Sequence, residues 1–373
     1  MELYVYDTDM TLKGVIDMIT SLIWTRRYWT CGEFKLLVPF TAAHVRLLQK
    51  HSIIMKRGDD EAAEIRYVNI KKNADGLEEI EVQGKFLLWW IGKRIVRKQI
   101  VTKAGTQAIL YRAVQENAVS PTEAARRIPN LFISSSDADT GSGVINYTSE
   151  AYINAQLAIE DAAKAAKLGI KIRTDVKQKK HFFSVYAGRN LTADQAENPP
   201  CVFSQEYDNI TEQEYTNSVE NLRTTAYVGG EETPETVRKV VEVGGNVYGL
   251  DREEIFINAT DIMQTYTDGD TEITLTDAQY LAALFSRGET ELEQYAETLG
   301  FSSKINTHGN LAYKDDYELG DRVTCINKRW GIKINVRITE VIETYQAGQE
   351  DIDVTFGESL PALIDKIRQA VKG

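Results

Sequence analysis

Cysteine is scarce in this 373-residue chain. Cys31, Cys201 and Cys325 are odd in number and far apart, which excludes a disulfide framework and reads as scattered buried thiols. Histidine is nearly as scarce. His44, His51, His181 and His308 stand at no metal-ligand spacing, and no cysteine belongs to a C-x-x-C pair. No metal and no cofactor is therefore expected. The chain has no G-x-G-x-x-G, no G-x-x-x-x-G-K-[ST], no H-E-x-x-H and no G-x-S-x-G. Dinucleotide, phosphate, metalloprotease and serine-hydrolase chemistries thus lack their usual frames, and no catalytic residue is assigned. Long apolar runs are missing as well. The longest, Phe86-Leu87-Leu88-Trp89-Trp90-Ile91, falls far short of the roughly 20 residues of a membrane span, so no membrane contact is expected. Residues 1–7 carry no basic segment, and the expectation is synthesis and folding in a cytoplasm.

What is present is ordinary for a folded protein. Hydrophobic residues make up 43% and charged residues 26% of the chain, and a chain of this length divides into about two or three domains. Lys and Arg number 43 against 55 Asp and Glu, a net charge of −12, which argues against a specific nucleic-acid binder. The charge is unevenly spread. Residues 1–112 carry 18 basic and 13 acidic side chains, whereas residues 205–300 carry 5 and 21. The acidic block reads either as a solvated face or as a surface that repels something acidic.

Residues 1–104 read mainly as β-structure, with strands at 3–6, 21–29, 33–38, 65–70 and 77–82. An Asp75-Gly76 pair joins the last two as a hairpin, and a short helix fits 42–49. Lys85, Lys93, Arg94, Arg97 and Lys98 interleave with Trp89 and Trp90, a pattern of strand-edge charge beside core aromatics more than of base-stacking platforms. Residues 105–199 read as a small α/β domain. It has a helix at 106–119, a second helix opening near Ser120-Pro121, an exposed loop at 134–143, a helix within 149–168, and strands at 170–176 and 181–187. Residues 200–357 return to β-structure, with strands at 201–204, 224–228, 236–243 and 254–257. Thr276 with Gln279, and Thr290 with Glu293, form capping boxes that open helices 277–287 and 291–299, the first stopped by Gly288. Ile332, Ile334, Val336 and Ile338 alternate, as do Ile352, Val354 and Phe356, which gives an antiparallel hairpin with one buried face. A last helix occupies 358–373.

At this carboxyl-terminal end the residues become specific. Leu319-Gly320-Asp321-Arg322-Val323 is followed by Gly331-Ile332, Arg337-Ile338-Thr339-Glu340-Val341, Gly348, Thr355-Phe356-Gly357 and Pro361. This run resembles the closing module of phage tail hub proteins, in the family of siphophage hub-like, tail-associated proteins. Gly14-Val15-Ile16-Asp17, Trp24, Tyr28 and Gly32-Glu33-Phe34 fit the same family, as do Tyr186–Thr192, Phe203-Ser204, Tyr227–Glu231 and Gly249–Glu253.

The resemblance implies an α+β chain with two tail-tube-like β-barrel domains, at about 1–104 and 200–357. An α/β domain lies between them, and a helical insertion at 251–300 interrupts the second barrel. It further implies a homotrimer whose ring of six barrels joins a hexameric tail tube, or a distal tail protein, to a tail-tip or spike protein among other baseplate proteins. The place implied is the baseplate of the virion tail. Gly320, Asp321, Arg337, Glu340, Thr355, Phe356, Gly357 and Pro361 are the family's structural signature. In such a ring the second barrel faces the lumen, which makes Glu220, Glu231, Glu232, Glu235 and Glu242, read as strand-borne, the candidates for an acidic channel wall. The alternative function is a cell-wall hydrolase associated with the tail tip.

Overall fold

The computed structural model describes residues 1–357 apart from 73, 142, 150, 233–236, 269, 270 and 347. The expected helix at 358–373, with Pro361, and the candidate Glu235 lie outside these residues. The chain is of mixed α and β type, and most of its regular elements are strands.

One 13-stranded sheet runs through both ends of the chain. Its first half orders strands Leu12–Ile16, Leu3–Tyr6, Ile53–Lys56, Ala62–Lys72, Glu78–Phe86, Glu33–Pro39 and Ser21–Arg27. Its second half continues with Ile332–Gln346, Gln349–Gly357, Thr298–Ile305 and Ile210–Ser218, while Arg322–Asn327 and Val202–Phe203 attach beside Ile332–Gln346. The two halves meet where Ser21–Arg27 pairs antiparallel with Ile332–Gln346, from Arg27 opposite Glu340 to Ser21 opposite Gln346.

Alternation decides which side of each strand is buried. In Glu33–Pro39, Phe34, Leu36 and Val38 are buried while Glu33 and Lys35 are exposed. They join Leu3, Leu22, Trp24, Ile80 and Val82 in one core. The second half has its own core, around Phe203, Phe301, Tyr317, Val323, Ile338 and Phe356. The expected Asp75-Gly76 turn closes its hairpin, with Lys72 opposite Glu78. The final hairpin pairs Ile338 with Phe356 and Val341 with Val354, across a bulge between Ile338 and Glu340.

Between the halves, strands Gly169–Asp175, Lys180–Tyr186 and Leu131–Ile133 form a small sheet. Helices Thr106–Val114 and Ala155–Ala165 share a core with it. The latter helix is shorter than the 149–168 expected, because Asn154 caps it, its Oδ1 accepting from the amides of Gln156 and Leu157. No full helix follows Pro121. The chain makes a π turn at Gln115–Val119 and a 3-10 turn at Ala124–Arg126 instead. The loop after Ser134 is tied down, since Asp137 accepts from Tyr111 Oη (2.7 Å) and the Val185 amide (2.9 Å).

The insertion differs from expectation in a way that has one physical cause. Strands Thr225–Gly229, Val240–Gly244 and Glu254–Asn258 form a three-stranded sheet against one helix, Asp277–Leu292, with a core of their own. Residues 251–300, expected as a helical insertion, thus contain strands as well as helix Asp277–Leu292, and they pack with strands that precede residue 251. The Thr276–Gln279 capping box is present, but the helix runs straight through Gly288. A Cβ on Gly288 would stand 2.6 Å from Val243 Cγ2 and 2.7 Å from Val228 Cγ2, so this glycine serves helix–sheet approach and does not end the helix. Thr290 caps nothing; its hydroxyl donates to the Ser286 carbonyl (3.0 Å). The residues read as a second helix become a 3-10 turn, Glu293–Tyr295, and the strand Thr298–Ile305. Gly288→Ala is expected to destabilise by about 1–2 kcal/mol: overpacking against two valines outweighs the ~1 kcal/mol that alanine gains in a helix. Thermal unfolding of the variant checks the sign, and a stabilised variant would refute the packing role.

Candidate functional site

Four residues of the expected signature, Gly320, Asp321, Arg337 and Glu340, lie where the first, middle and last regions of the chain meet. Tyr28 follows the seam strand and is wholly buried. Its hydroxyl lies within donating distance of the carbonyls of Ala187 (2.9 Å), Tyr186 (3.1 Å) and Lys167 (3.2 Å). Arg337 Nη1 donates to that same hydroxyl (3.2 Å), to Gly320 O (2.6 Å) and to Ala187 O. Its guanidinium also stacks over the Tyr28 ring at 4.9 Å. Burial lowers the Arg337 pKa from its ordinary value.

Gly320 sits at φ +95°, and a Cβ there would run into the Tyr28 ring. Glycine is required by both the left-handed backbone and the close approach. Gly188, at φ +72°, faces Gly320 backbone to backbone. Asp321, 2% exposed, accepts from the Arg189 amide (2.7 Å), from Arg189 Nη2 (2.6 Å) and from the Glu318 amide (2.9 Å). One carboxylate thereby fixes two chain segments. Glu340 pairs with Arg27 (2.7 Å), which also holds Glu33 (2.9 Å). Phe356 packs at 4.8 Å on Phe203. Thr339 Oγ1 donates to the carbonyls of Thr355 (3.3 Å) and Gly357 (2.5 Å), and Gly357 takes φ +78° against the Leu299 carbonyl.

Beside this junction lies an ion network that the sequence did not reveal. Arg26, 5% exposed, donates to Glu61 (3.0 Å), Glu318 (2.8 Å) and Tyr313 Oη (2.7 Å). Lys56 pairs with Asp59 (3.3 Å) and Glu343, and Lys314 pairs with Asp59. Burial alone would raise the Asp59 carboxyl; Lys56 and Lys314 outweigh it and lower its pKa. Every pair but Lys56–Asp59 and Arg26–Glu61 crosses between the first and last regions, so these charges join the two halves at the seam. A groove of about 790 Å³ opens there, lined among others by Lys56, Tyr317, Glu343 and Tyr345.

The basic–aromatic stretch has a structural explanation. Glu64, 2% exposed, accepts from Trp89 Nε1, Trp90 Nε1 and Lys93 Nζ (2.9 Å each) and bonds His51 Nδ1 (2.7 Å). It pins the 3-10 helix Leu87–Lys93 to the sheet. Burial pushes its carboxyl up, but the bonds from His51 and Lys93 prevail and hold it down at about 2, against an ordinary 4.5. A carboxyl lowered on folding stabilises the protein fully above pH ~4.5, and that gain is lost as pH falls toward 2. Glu64→Gln is therefore expected to cost about 2 kcal/mol at pH 7 and to flatten stability between pH 4.5 and 2. The figure allows for the solvent around His51 and Lys93. Urea midpoints across that range check it, and an unchanged acid limb would refute it.

The acidic candidates are dispersed. Glu220 lies in a turn after strand Ile210–Ser218, and Glu231 and Glu232 follow strand Thr225–Gly229, so of the described candidates only Glu242 is strand-borne. Glu242 pairs with Arg252 (2.9 Å) and Glu232 with Arg238 (3.6 Å), and Glu231 Oε1 accepts from the Gln264 amide (3.3 Å). Among the described residues no three His, Cys, Asp or Glu side chains converge as metal ligands. Burial pushes the Cys201 thiol up to about 12 and the His181 imidazole down to about 4. Those states suit packing, since a nucleophilic thiol or a proton-transfer imidazole titrates near neutrality.

The fold is shared with tail proteins of known structure. Prophage MuSo2 43 kDa tail protein from Shewanella oneidensis aligns with a TM-score of 0.56 at 11% identity, covering 95% of this chain and 98% of that one. Prophage tail protein gp18 from Listeria monocytogenes EGD-e aligns with a TM-score of 0.55 at 12% identity, over 100% and 99%. A chain of the lidded Francisella PdpA–VgrG complex aligns with a TM-score of 0.50 at 10% identity, over 97% of this chain and 54% of that one. No curated protein matches by sequence. At the level of family, residues 2–358 match the one described as Siphovirus ReqiPepy6 Gp37-like protein, and a match over nearly the whole length means that this chain belongs to that family.

Proposed function

We propose that the chain is the structural hub of a phage tail or phage-tail-like particle. It forms a trimeric ring that joins the hexameric tail tube to the tail tip or spike and lets the cargo pass. In this reading each half of the large sheet curls into a tube-type barrel, 1–104 and 200–357, and residues 105–199 form the domain between them. The observation that carries the reading is the agreement in fold with prophage tail proteins over 95% or more of each chain. The fold is also related to a chain of the PdpA–VgrG complex, of which this chain spans about half the length, and this supports a place within a larger assembly.

The junction supports a role in transmitting force. Buried charge pairs, Tyr28 and Arg337 lock three regions into one body, as a part that transmits force without opening requires. Along the cargo path, negative side chains repel phosphate. Glu242 and Glu232 are offset by arginines, so Glu220 and Glu231 are the described candidates that contribute uncompensated charge.

Native mass measurement, on the protein alone and with the tube and spike proteins of the same particle, tests the ring. Three copies per assembly is the expected result. A monomer in every mixture overturns the reading.

A further inference from the structure

The groove at the seam is built to receive a donor. Glu343 is 2% exposed, and its Oε2 is taken by Lys56 and by Tyr345 Oη (2.7 Å). Its Oε1 has no hydrogen-bond partner among the described residues, and neither has the hydroxyl of the wholly buried Tyr317. Both side chains line the groove, whose cations are already paired, Arg57 with Glu2 (3.2 Å) and Lys56 and Lys314 with Asp59. A buried acceptor left without a donor is costly, and each such atom in a native protein needs a reason. At the rim, Asp17 and Glu350 are exposed and make no ion pair among the described residues. The walls add apolar surface from Ile19, Leu311 and Ile352.

A complementary surface stands at the other end of the same strand. Strands Arg322–Asn327 and Ile332–Gln346 are joined by the turn Lys328-Arg329-Trp330-Gly331. The Trp330 amide donates to Asn327 Oδ1 (3.0 Å) and the Gly331 amide to the Lys328 carbonyl (3.2 Å), which makes the tip rigid. Lys328 and Arg329 are exposed, and Trp330 is 47% exposed. Lys328 lies near Glu206, whose pKa is lowered first by Ser204 and also by this lysine. Arg329 makes no ion pair and Trp330 no ring contact among the described residues. Trp and Arg side by side on a fixed turn are the residue types that dominate interface energies. Tip and groove are separated by the 15-residue strand Ile332–Gln346, up to roughly 45 Å at 3.3 Å per residue. One chain cannot fill its own groove.

We propose that the groove of one chain receives the Lys328–Trp330 tip of a second copy. Arg329 pairs with the exposed rim carboxylates Asp17 and Glu350, above the buried Glu343, and Trp330 covers the apolar wall. The inference rests on the trimeric hub and supplies its contact. Such a contact is head to tail, using two different patches of each chain, and it stops growing only when the ring closes. In a closed trimer every tip and every groove is occupied.

The assembled protein carrying both Lys328→Cys and Gln349→Cys, treated with a mild thiol oxidant, should give covalent species up to a trimer. Neither single variant should do so. Arg329→Glu should weaken assembly by roughly 30-fold or more, the scale of a hot-spot loss, while the melting temperature of the monomer stays unchanged. Adding Glu350→Lys to Arg329→Glu should restore part of that loss. A trimer that survives Arg329→Glu and never cross-links overturns the contact and leaves the hub standing. Absence of any trimer in the native mixtures overturns the hub and this contact together.

Discussion

Replacing Arg26 by methionine is expected to lower stability by about 3–5 kcal/mol, the range for removing one partner of a buried ion pair. The guanidinium serves Glu61, Glu318 and Tyr313 at once. Methionine fills a similar volume, so the cost comes from charge and not from a cavity. Glu61, 8% exposed, would lose that partner. The effect should be partly relieved in Arg26→Met with Glu61→Leu, because both buried charges are gone and only the part-exposed Glu318 and the Tyr313 hydroxyl lose their partner. Urea unfolding of the wild type, both single variants and the double variant gives the coupling directly. A loss below about 1 kcal/mol for Arg26→Met would mean that the network is solvent-screened and does not hold the seam.

Gly320→Ala should cost about 3 kcal/mol or more. Left-handed backbone costs a non-glycine residue roughly 1–2 kcal/mol, and the added methyl must also displace the Tyr28 ring. Displacing that ring breaks its hydroxyl contacts to three carbonyls and its bond from Arg337. Gly331→Ala is the control. Gly331 has φ +69° but open space where its Cβ would go, so only the backbone penalty of about 1 kcal/mol applies there. If the two variants were equally destabilised, the close approach to Tyr28 would not be what Gly320 provides. Gly320→Ala should also open the junction to limited proteolysis near residues 187–191, because Arg189 and Leu191 are held by Asp321 and Arg322.

Much of the fold was legible where one physical signal acted alone. The final hairpin alternates, buries one face and appears where the period of two puts it. Strand Ile210–Ser218 was missed because it is an edge strand whose exposed positions are polar, among them Glu212 and Glu214, so it shows little contrast between its faces. Gly288 misled because its reason, contact with Val228 and Val243, lies 45 or more residues away in sequence. The signature glycines and charges could be listed from the resemblance. Their meeting point could not be derived, since Tyr28, Ala187 and Arg337 are brought together only by tertiary structure. The same holds for Glu64. Its partners stood out in the sequence as a basic–aromatic run, but nothing in that run reveals the carboxylate that explains it.

The seam strand has a consequence during synthesis. Arg27 bonds Glu340 across 313 residues of chain, and the whole pairing of Ser21–Arg27 with Ile332–Gln346 has similar reach. At about 5–20 residues per second, the ribosome needs roughly 15–60 s to deliver the partner of a strand it has already released. Throughout that interval the nascent chain exposes an unpaired sheet edge, and Arg26 has Glu61 but lacks Glu318 and Tyr313. Contacts this distant also fold slowly once the chain is free. Yield at high expression rates should therefore depend on chaperones that shield this edge, and it should improve when translation and temperature are lowered.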